Sequence, residues 1–300
     1  MFKNALSLYA LANLAYFCHG TQIILTNDDG WAVAQIRAEY TALKAAGYKV
    51  ILSAPAENKS GTGSSTATPT TLTEPCEFNT CPTGSPPTGS NSSDPNINYV
   101  NAFPVDAVRF GIQTLSPAIW NSPPDIVVSG SNIGNNLGST VLISGTVGAA
   151  SEAALEGIPS IAFSGATGSQ VSYTTLTSQP TSSSTQAANI YTSLVLKFLS
   201  VLLATPKPYL PSGVSVNVNF ASTSSCSSAS DYKFVLTRIS SSSTPNVNTC
   251  GSSTLPTESS AITEGCIATV SVFNAATKAD SNSTEQAFVL NKLTSLLTCL

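Results

Sequence analysis

The sequence predicts an α/β fold built on a parallel sheet, followed by a strand-rich extension at the C-terminal end. Two observations carry this prediction. Over about residues 21–205, short apolar runs alternate with helix-like patterns, which is typical of βαβ units. Hydrophobic residues make up 42% of the 300 residues, enough to fill a sizeable core. From about residue 206 to residue 300 the pattern changes to strands, and we expect an appendage of the core there.

The first βαβ unit begins directly after residue 20. Residues 21–26 form a β-branched run that predicts a strand, and polar residues follow it. A helix pattern comes next and ends at Gly47, and residues 49–54 are the next buried strand. Residues 57–98 are mostly Ser, Thr, Pro, Gly and Asn, so we expect a long loop there.

The next elements continue the alternation of helices and strands. Pro104 begins the second helix, and residues 125–129 predict a third strand. Residues 147–156 predict a helix, and residues 160–163 predict a fourth strand. The longest helical pattern covers residues 186–203.

The last third of the chain contains three alternating patterns that predict strands, at residues 214–220, 233–237 and 267–273. We interpret the Ser- and Thr-rich residues 240–260 as an insertion at the tip of a hairpin. Residues 285–297 predict a closing amphipathic helix.

The N-terminal end has the pattern of a secretory signal peptide over residues 1–20, in which Lys3 precedes a short uncharged apolar run. The alternative is an N-terminal strand extension or a buried segment. We expect residues 21–300 to form one domain, and no later stretch to reach membrane-spanning length. The sequence therefore predicts a secreted protein with no membrane partner.

Six of the seven cysteines lie beyond the predicted signal peptide, and an even number suggests disulfides in a secreted chain. Cys76 and Cys81 are close in sequence and are predicted to pair. The other four are expected to pair among themselves: Cys226, Cys250, Cys266 and Cys299. A metal cluster is the alternative, although no Cys-x-x-Cys spacing occurs. Glycosylation sequons begin at Asn58, Asn91 and Asn282, which indicates surface loops.

Charged residues are scarce, at 9% of the chain, and the net charge is −4, so we expect no nucleic acid polymer as a partner. The single histidine, His19, lies within the predicted signal peptide. Its removal would exclude a Ser-His-Asp triad, a phosphohistidine mechanism and a zinc site built on imidazole.

Polar clusters follow the predicted strands at the ends where an open parallel sheet binds its ligands. They include Asn27 with the three residues after it, residues 58–61, residues 129–132 and residues 135–136. Residues 144–146 lie at the start of the next helix. We therefore expect one site at this edge of the sheet, with Asn27 among the substrate-binding residues.

Asp28 and Asp29 form an adjacent acidic pair directly after a strand. Two carboxylates so close repel each other, and a divalent cation such as Mg²⁺, Mn²⁺ or Ca²⁺ would neutralise them. Ser60 and Asn132 could complete the ligand set with neutral oxygens. The alternative is that the sequence Asn-Asp-Asp-Gly forms only an Asx turn and a helix N-cap.

Residues 144–150 are small residues that lead into a helix, where free N–H groups and the helix dipole favour a phosphate. The alternative is a tightly packed helix start without a ligand. Neither the dinucleotide fingerprint G-x-G-x-x-G nor the phosphate loop G-x-x-x-x-G-K-[ST] is found, so little supports a nucleotide-cofactor oxidoreductase or an ATPase.

Four ordered segments, residues 24–30, 54–61, 124–138 and 144–153, resemble the motifs of the SurE family of survival proteins. Members of that family are metal-dependent phosphatases and 5′/3′-nucleotidases. The resemblance implies a Rossmann-type parallel sheet with helices on both faces and a C-terminal extension that makes oligomer contacts. It therefore implies a homo-oligomer that hydrolyses small phosphomonoesters.

The resemblance also assigns roles to individual residues. The divalent-metal ligands of the family match four residues: Asp28, Asp29, Ser60 and Asn132. The phosphate-binding turn of the family matches three residues: Ser144, Gly145 and Thr146. Asn136 matches a polar active-site residue, and with the two aspartates it completes the predicted catalytic set.

The chain also departs from the family pattern. Gln35 stands where the family usually has Gly, and residues 101–107 lack the Thr and Cys of the family's Gly-Thr-Pro-x-Asp-Cys segment, so the resemblance does not extend to a preference for nucleotides. The predicted signal peptide and the six cysteines resemble a secreted, fungal-type branch that acts as an acid phosphatase. Two alternatives stay open: a secreted binding or surface protein that keeps the fold without catalysis, and a hydrolase of another phosphate such as polyphosphate.

Overall fold

One continuous sheet of ten strands runs through residues 20–241 and 244–300, the part of the chain that the computed structural model describes. The predicted signal peptide lies outside these residues, apart from its last position. In chain order the strands are β1 (Gln22–Thr26), β2 (Lys49–Pro55), β3 (Thr88–Asn91), β4 (Asp94–Val100), β5 (Ile126–Ile133), β6 (Ser160–Gly165), β7 (Val214–Phe220), β8 (Lys233–Thr237), β9 (Ile267–Asn274) and β10 (Leu297–Thr298).

Most neighbouring strands of the sheet are parallel. The order across the sheet is β10-β8-β9-β7-β6-β5-β1-β2-β4-β3, and only the pairs β7–β9 and β3–β4 are antiparallel. β1 lies between β2 and β5, so the three strands that precede the predicted polar clusters are adjacent. The prediction of an α/β fold on a mostly parallel sheet is confirmed.

Helices connect the strands and cover the sheet. In chain order they are α1 (Ala34–Ala45), α2 (Pro104–Phe110), α3 (Ser116–Trp120), α4 (Gly145–Leu155), α5 (Thr175–Ser178), α6 (Ser183–Leu203), α7 (Glu258–Ala261) and α8 (Ser283–Lys292). Pro104 begins α2 as predicted, because its fixed φ suits the first turn of a helix and its missing N–H costs no hydrogen bond there.

The helices lie on both faces of the sheet. Successive side chains of a strand point to opposite faces, so Ile23 and Leu25 of β1 face one way and Ile24 faces the other. Ile23 and Leu25 belong to the large core cluster, which also contains residues of α1 and α6. Ile24 belongs to a separate cluster with Val108 of α2 and Ala149 of α4.

The prediction of a long loop over residues 57–98 is wrong for its last part. This segment contains β3 and most of β4, and β4 pairs in parallel with β2. The sequence of β4 begins with Asp and Pro, and only its second half is buried, so its local pattern is weak. Hydrogen bonds to β2, which lies far away in sequence, make it a strand.

The C-terminal part of the chain continues the same sheet. β7 pairs in parallel with β6, and β9 joins β7 on its other side, so these strands extend the core and do not form an appendage. The hairpin predicted around residues 240–260 is wrong. β8 and β9 are parallel, and parallel neighbours need a crossover, which here includes α7.

One helix of the described chain, α6, is long and apolar enough to cross a membrane by length and composition, contrary to our expectation from the sequence. Tyr191, Leu194 and Phe198 on this helix are buried in the large core cluster, where Phe163 of β6 contacts Phe198 edge to face. This packing is that of a core helix of a globular domain.

Three disulfides join the six cysteines beyond the predicted signal peptide. Cys76 bonds to Cys81, which confirms the predicted pair. The other four cysteines pair among themselves as predicted, as Cys226–Cys266 and Cys250–Cys299.

Candidate functional site

The side chain of Asn27, the first residue after β1, closes the loop that follows this strand. The Nδ2 group of Asn27 donates to the carbonyl of Gly30 at 3.0 Å, and the Gly30 amide donates to Asn27 Oδ1 at 3.2 Å. The N-cap of α1 is Val33, so the helix cap expected in the alternative interpretation is not formed by these residues. The turn expected in that interpretation is present. It turns the backbone so that Asp28 and Asp29, both buried, lie together at the end of β1.

Asp28 is held by the start of α4. The hydroxyl of Thr146 donates to Asp28 Oδ1 at 2.6 Å and lies 3.2 Å from Asn132 Oδ1, so one hydroxyl links two predicted metal ligands. A Cβ atom at Gly145 would lie 2.7 Å from the Cβ of Asp28, which explains the need for glycine at this close approach. Ser144 caps the helix by accepting from the Val147 amide at 3.1 Å.

Both oxygens of Asp29 accept hydrogen bonds. The Ile133 amide at the end of β5 donates to Oδ2 at 2.9 Å. The Nε2 group of Gln170, in the loop after β6, donates to Oδ1 at 2.6 Å. Asp29 is therefore tied to two elements that lie more than a hundred positions away in sequence.

Burial raises the pKa of both aspartates. The Thr146 hydroxyl and the amides of Thr146 and Gly145 oppose this effect at Asp28. The pKa of Asp29 is raised well above its ordinary value, first by burial and then by the charge of Asp28. The ion pairs found in the described chain involve other residues, so no side-chain cation neutralises this pair.

The loop that carries Ser60 contacts the acidic pair through its backbone. The Lys59 amide donates to the Asp28 carbonyl at 2.7 Å. The exposed Ser60 hydroxyl instead donates to Asn58 Oδ1 at 2.7 Å. Ser60 therefore lies in the loop beside Asp28, with its side chain hydrogen-bonded within that loop.

Asn136 is fixed by the C-terminal part of the sheet. Its amide donates to Asn219 Oδ1 at 2.7 Å, and its carbonyl accepts from Asn217 Nδ2 at 2.9 Å. Its side-chain Nδ2 donates to Ser164 Oγ at 2.8 Å. β6 and β7 thus position this predicted catalytic residue.

Glu258 of α7 completes this network. The side chain is fully buried, and its two oxygens accept from the Gly138 amide at 2.7 Å and from Asn217 Nδ2 at 3.1 Å. Burial raises the pKa of Glu258 to about 7. The C-terminal strands and α7 therefore hold the loop that follows β5.

A second buried polar group lies behind the loop on α1. Glu39 Oε2 accepts from the amide and the hydroxyl of Ser131, both at 3.1 Å, while Oε1 has no hydrogen-bond partner among the described residues. Gln35 lies one helical turn earlier, and both of its side-chain polar atoms are buried without such a partner. Burial raises the pKa of Glu39 to about 7.

Sequence reasoning missed four carboxylate or amide side chains at or behind this site: Glu39, Glu77, Gln170 and Glu258. Glu77 belongs to the Cys76–Cys81 loop and lies against the acidic loop. A Cβ atom at Gly30 would clash with Oε2 of Glu77. Burial and the charge of Glu57 raise the pKa of Glu77 to about 7. None of the four lies in a recognisable motif.

The donor set at the acidic loop fits a hard divalent cation. The two buried carboxylates have no cationic partner in the described chain, and the neutral Asn132 Oδ1 lies 3.2 Å from the Thr146 hydroxyl that binds Asp28. Oxygen ligands are what Mg²⁺, Mn²⁺ and Ca²⁺ prefer. No group of three or more His, Cys, Asp or Glu in the described chain is arranged to hold a metal ion. A cation here would therefore depend on neutral oxygens for the rest of its ligands.

Comparison with known proteins places these residues in a family. Residues 23–246 match the model of the family described as survival protein SurE. A crystal structure of the SurE protein from Aquifex aeolicus superimposes with a TM-score of 0.56 and 25% identity, over 84% of this chain and 93% of that one.

Curated relatives are also similar. An acid phosphatase of Yarrowia lipolytica is 40% identical over 203 residues, which are 66% of this chain and 56% of that protein. A 5′-nucleotidase SurE of Desulfitobacterium hafniense is 42% identical over 153 residues, which are 50% of this chain and 53% of that protein. The chain thus spans about half the length of the curated relatives that it matches.

Proposed function

Because this chain belongs to the SurE family, we propose that it is a metal-dependent phosphomonoesterase of the acid phosphatase or 5′-nucleotidase type. The observation that carries the proposal is the buried pair Asp28 and Asp29, which has no side-chain cation beside it in the described chain. Two buried carboxylates are costly unless a cation neutralises them. The names of the curated relatives and the alignment with the family model support the same activity.

The residues that would hold the cation are Asp28, Asp29, Asn132 and Ser60. A divalent cation supplies charge neutralisation for phosphate oxygens and polarises the phosphorus. Phosphoryl transfer depends mainly on such electrostatic stabilisation and on positioning.

The chain's own residues have positioning roles in this proposal. Thr146 keeps Asp28 and Asn132 in fixed relation through one hydroxyl. The first turn of α4 brings the positive end of its dipole to the acidic pair, and a phosphate beside Gly145 would interact favourably with the same dipole. Asn136, held by β6 and β7, would contact the substrate on the β5 side.

Phosphate release by the chain that begins at residue 21 tests the proposal. p-Nitrophenyl phosphate and a 5′-nucleotide are offered from about pH 4 to about pH 8, with EDTA and then with Mg²⁺, Mn²⁺ or Ca²⁺ restored. We expect release that EDTA abolishes and a cation restores. The ratio of the two substrates then shows whether nucleotides are preferred.

Asp28→Asn is the decisive variant. It keeps the shape and an oxygen that can accept from Thr146, but removes the charge that a cation needs, so we expect turnover to fall at least about 100-fold. Asp231→Asn on the exposed surface is the matched control and should retain full activity. Near-normal turnover by folded Asp28→Asn would refute the assignment.

A secreted binding protein without catalysis is the second candidate. The side chains of Asn27 and Ser60 favour this candidate, because both make hydrogen bonds within their own loops and not with a site for substrate or cation. Absence of release with either substrate and every cation would support this candidate or a different phosphate substrate.

Secretion and self-association complete the proposal. The three disulfides and the predicted signal peptide support secretion. The sequons at Asn58, Asn91 and Asn282 are the basis for proposing glycosylation, and membership of the SurE family is the basis for proposing assembly through the C-terminal part. Light scattering of the secreted protein, before and after enzymatic deglycosylation, measures its glycan mass and its oligomeric state.

A further inference from the structure

The hydrogen bonds of Asp29 show which of its oxygens can be released to a cation. The donor to Oδ2 is the backbone amide of Ile133, which β5 holds in place. The donor to Oδ1 is the side-chain amide of Gln170, an exposed residue. A cation beside Asp29 would repel the positive N–H end of this amide and attract its carbonyl end.

The backbone around Gln170 is fixed beside the acidic loop. The Ala34 amide donates to the Val171 carbonyl at 2.9 Å, and the Tyr173 amide donates to the Ala32 carbonyl at 2.9 Å. These bonds attach the loop after β6 to the residues that directly follow the acidic loop. The Gln170 side chain therefore stays within reach of Asp29, and rotation about the last bond of the side chain would exchange Nε2 and Oε1.

We propose that Gln170 is a further ligand of the divalent cation, with its side-chain amide reversed when the cation binds. In this structure Nε2 donates to Asp29, and with a cation bound Oε1 would face the cation. The glutamine amide carries a donor and an acceptor on one planar group, and amide carbonyls are good ligands of hard cations. This inference rests on the proposed function, because it takes the cation site from it.

Mn²⁺ titration of the chain that begins at residue 21 tests the inference. Gln170→Met keeps the length of the side chain but offers only a thioether, which is a poor ligand of hard cations. Gln179→Met, an exposed glutamine in the segment before α6, is the matched control. We expect Gln170→Met to bind Mn²⁺ about 10-fold more weakly than the unmodified chain, and Gln179→Met to bind it equally well.

A second readout separates a ligand from a residue that only supports the loop. Water-proton relaxation counts the water molecules on bound Mn²⁺, and we expect about one more of them in Gln170→Met because water replaces the lost oxygen. Circular dichroism and thermal unfolding confirm that the variant is folded.

The possible results are distinguishable. If the unmodified chain does not bind Mn²⁺, the proposed cation site is wrong and this inference fails with it. If it binds Mn²⁺ and Gln170→Met binds it as tightly or more tightly, only the inference about Gln170 is overturned. Weaker binding with an unchanged water count also overturns it, because Gln170 would then act through Asp29 alone.

Discussion

Glu39→Gln should change how the stability of this protein depends on pH. Glu39 is fully buried on α1, and its Oε2 accepts two hydrogen bonds from Ser131. Glutamine has the same shape and keeps one oxygen for both bonds. The new NH₂ group takes the place of Glu39 Oε1, the oxygen that has no hydrogen-bond partner in the described chain. Residues 35 and 39 lie on the same face of α1, one turn apart.

The magnitude follows from the pKa of Glu39, which burial raises from 4.5 to about 7. The folded state holds the proton more tightly than the unfolded state, so stability is complete below about pH 4.5 and falls as the pH rises toward about 7. A difference of about 2.5 pH units at about 1.36 kcal/mol per unit gives a loss of roughly 3 kcal/mol. Glu39→Gln removes this loss.

Urea unfolding in EDTA, from about pH 4 to about pH 8, measures the effect as a difference between two pH profiles. Other carboxylates contribute equally to both proteins and cancel. Between these pH values we expect the unfolding free energy of Glu39→Gln to fall by roughly 3 kcal/mol less than that of the unmodified protein. Parallel profiles would refute the reasoning, because they would mean that Glu39 titrates normally.

Two further predictions concern the site and the disulfides. Thr146→Val removes the hydroxyl that donates to Asp28 Oδ1 at 2.6 Å, so we expect the free energy of unfolding to fall by about 2 kcal/mol. Thr146→Ser keeps the hydroxyl and should keep the unfolding free energy. Equal losses for the two variants in urea unfolding would contradict this prediction. Replacing Cys226 and Cys266 by Ala should lower the free energy of unfolding by about 4 kcal/mol, and replacing Cys76 and Cys81 by Ala should lower it by about 2 kcal/mol. The first disulfide closes a loop of 40 positions and the second a loop of 5, and the longer loop loses more entropy when it is closed. The reverse order in urea unfolding would contradict this prediction.

The acidic pair could be predicted from the sequence because its signal is local. Asp28 and Asp29 directly follow a strand, and a strand end is a place where a parallel sheet binds ligands. Gln170 could not be found in this way. It lies 141 positions from Asp29 in a polar loop without a motif, and only the folded chain brings them together.

The role of the C-terminal part was also hidden from sequence reasoning. Glu258 accepts a hydrogen bond from the Gly138 amide across 120 positions, and Asn217 donates to both Glu258 and Asn136. The composition change near residue 206 indicated an appendage, yet these residues hold the loop that carries Asn136. Composition reports local chain character, whereas a buried hydrogen-bond network depends on long-range packing.

The sequence by itself determined the alternation of strands and helices, the polar clusters at the strand ends and the pairing of Cys76 with Cys81. These features follow from periodicity, turn residues and short separations, which are properties of neighbouring residues. Tertiary structure alone decided the strand order, the place of β4 beside β2 and the parallel pairing of β8 with β9. Such pairings join distant segments through backbone hydrogen bonds, which every residue can make, proline as an acceptor only, so the local pattern does not encode them.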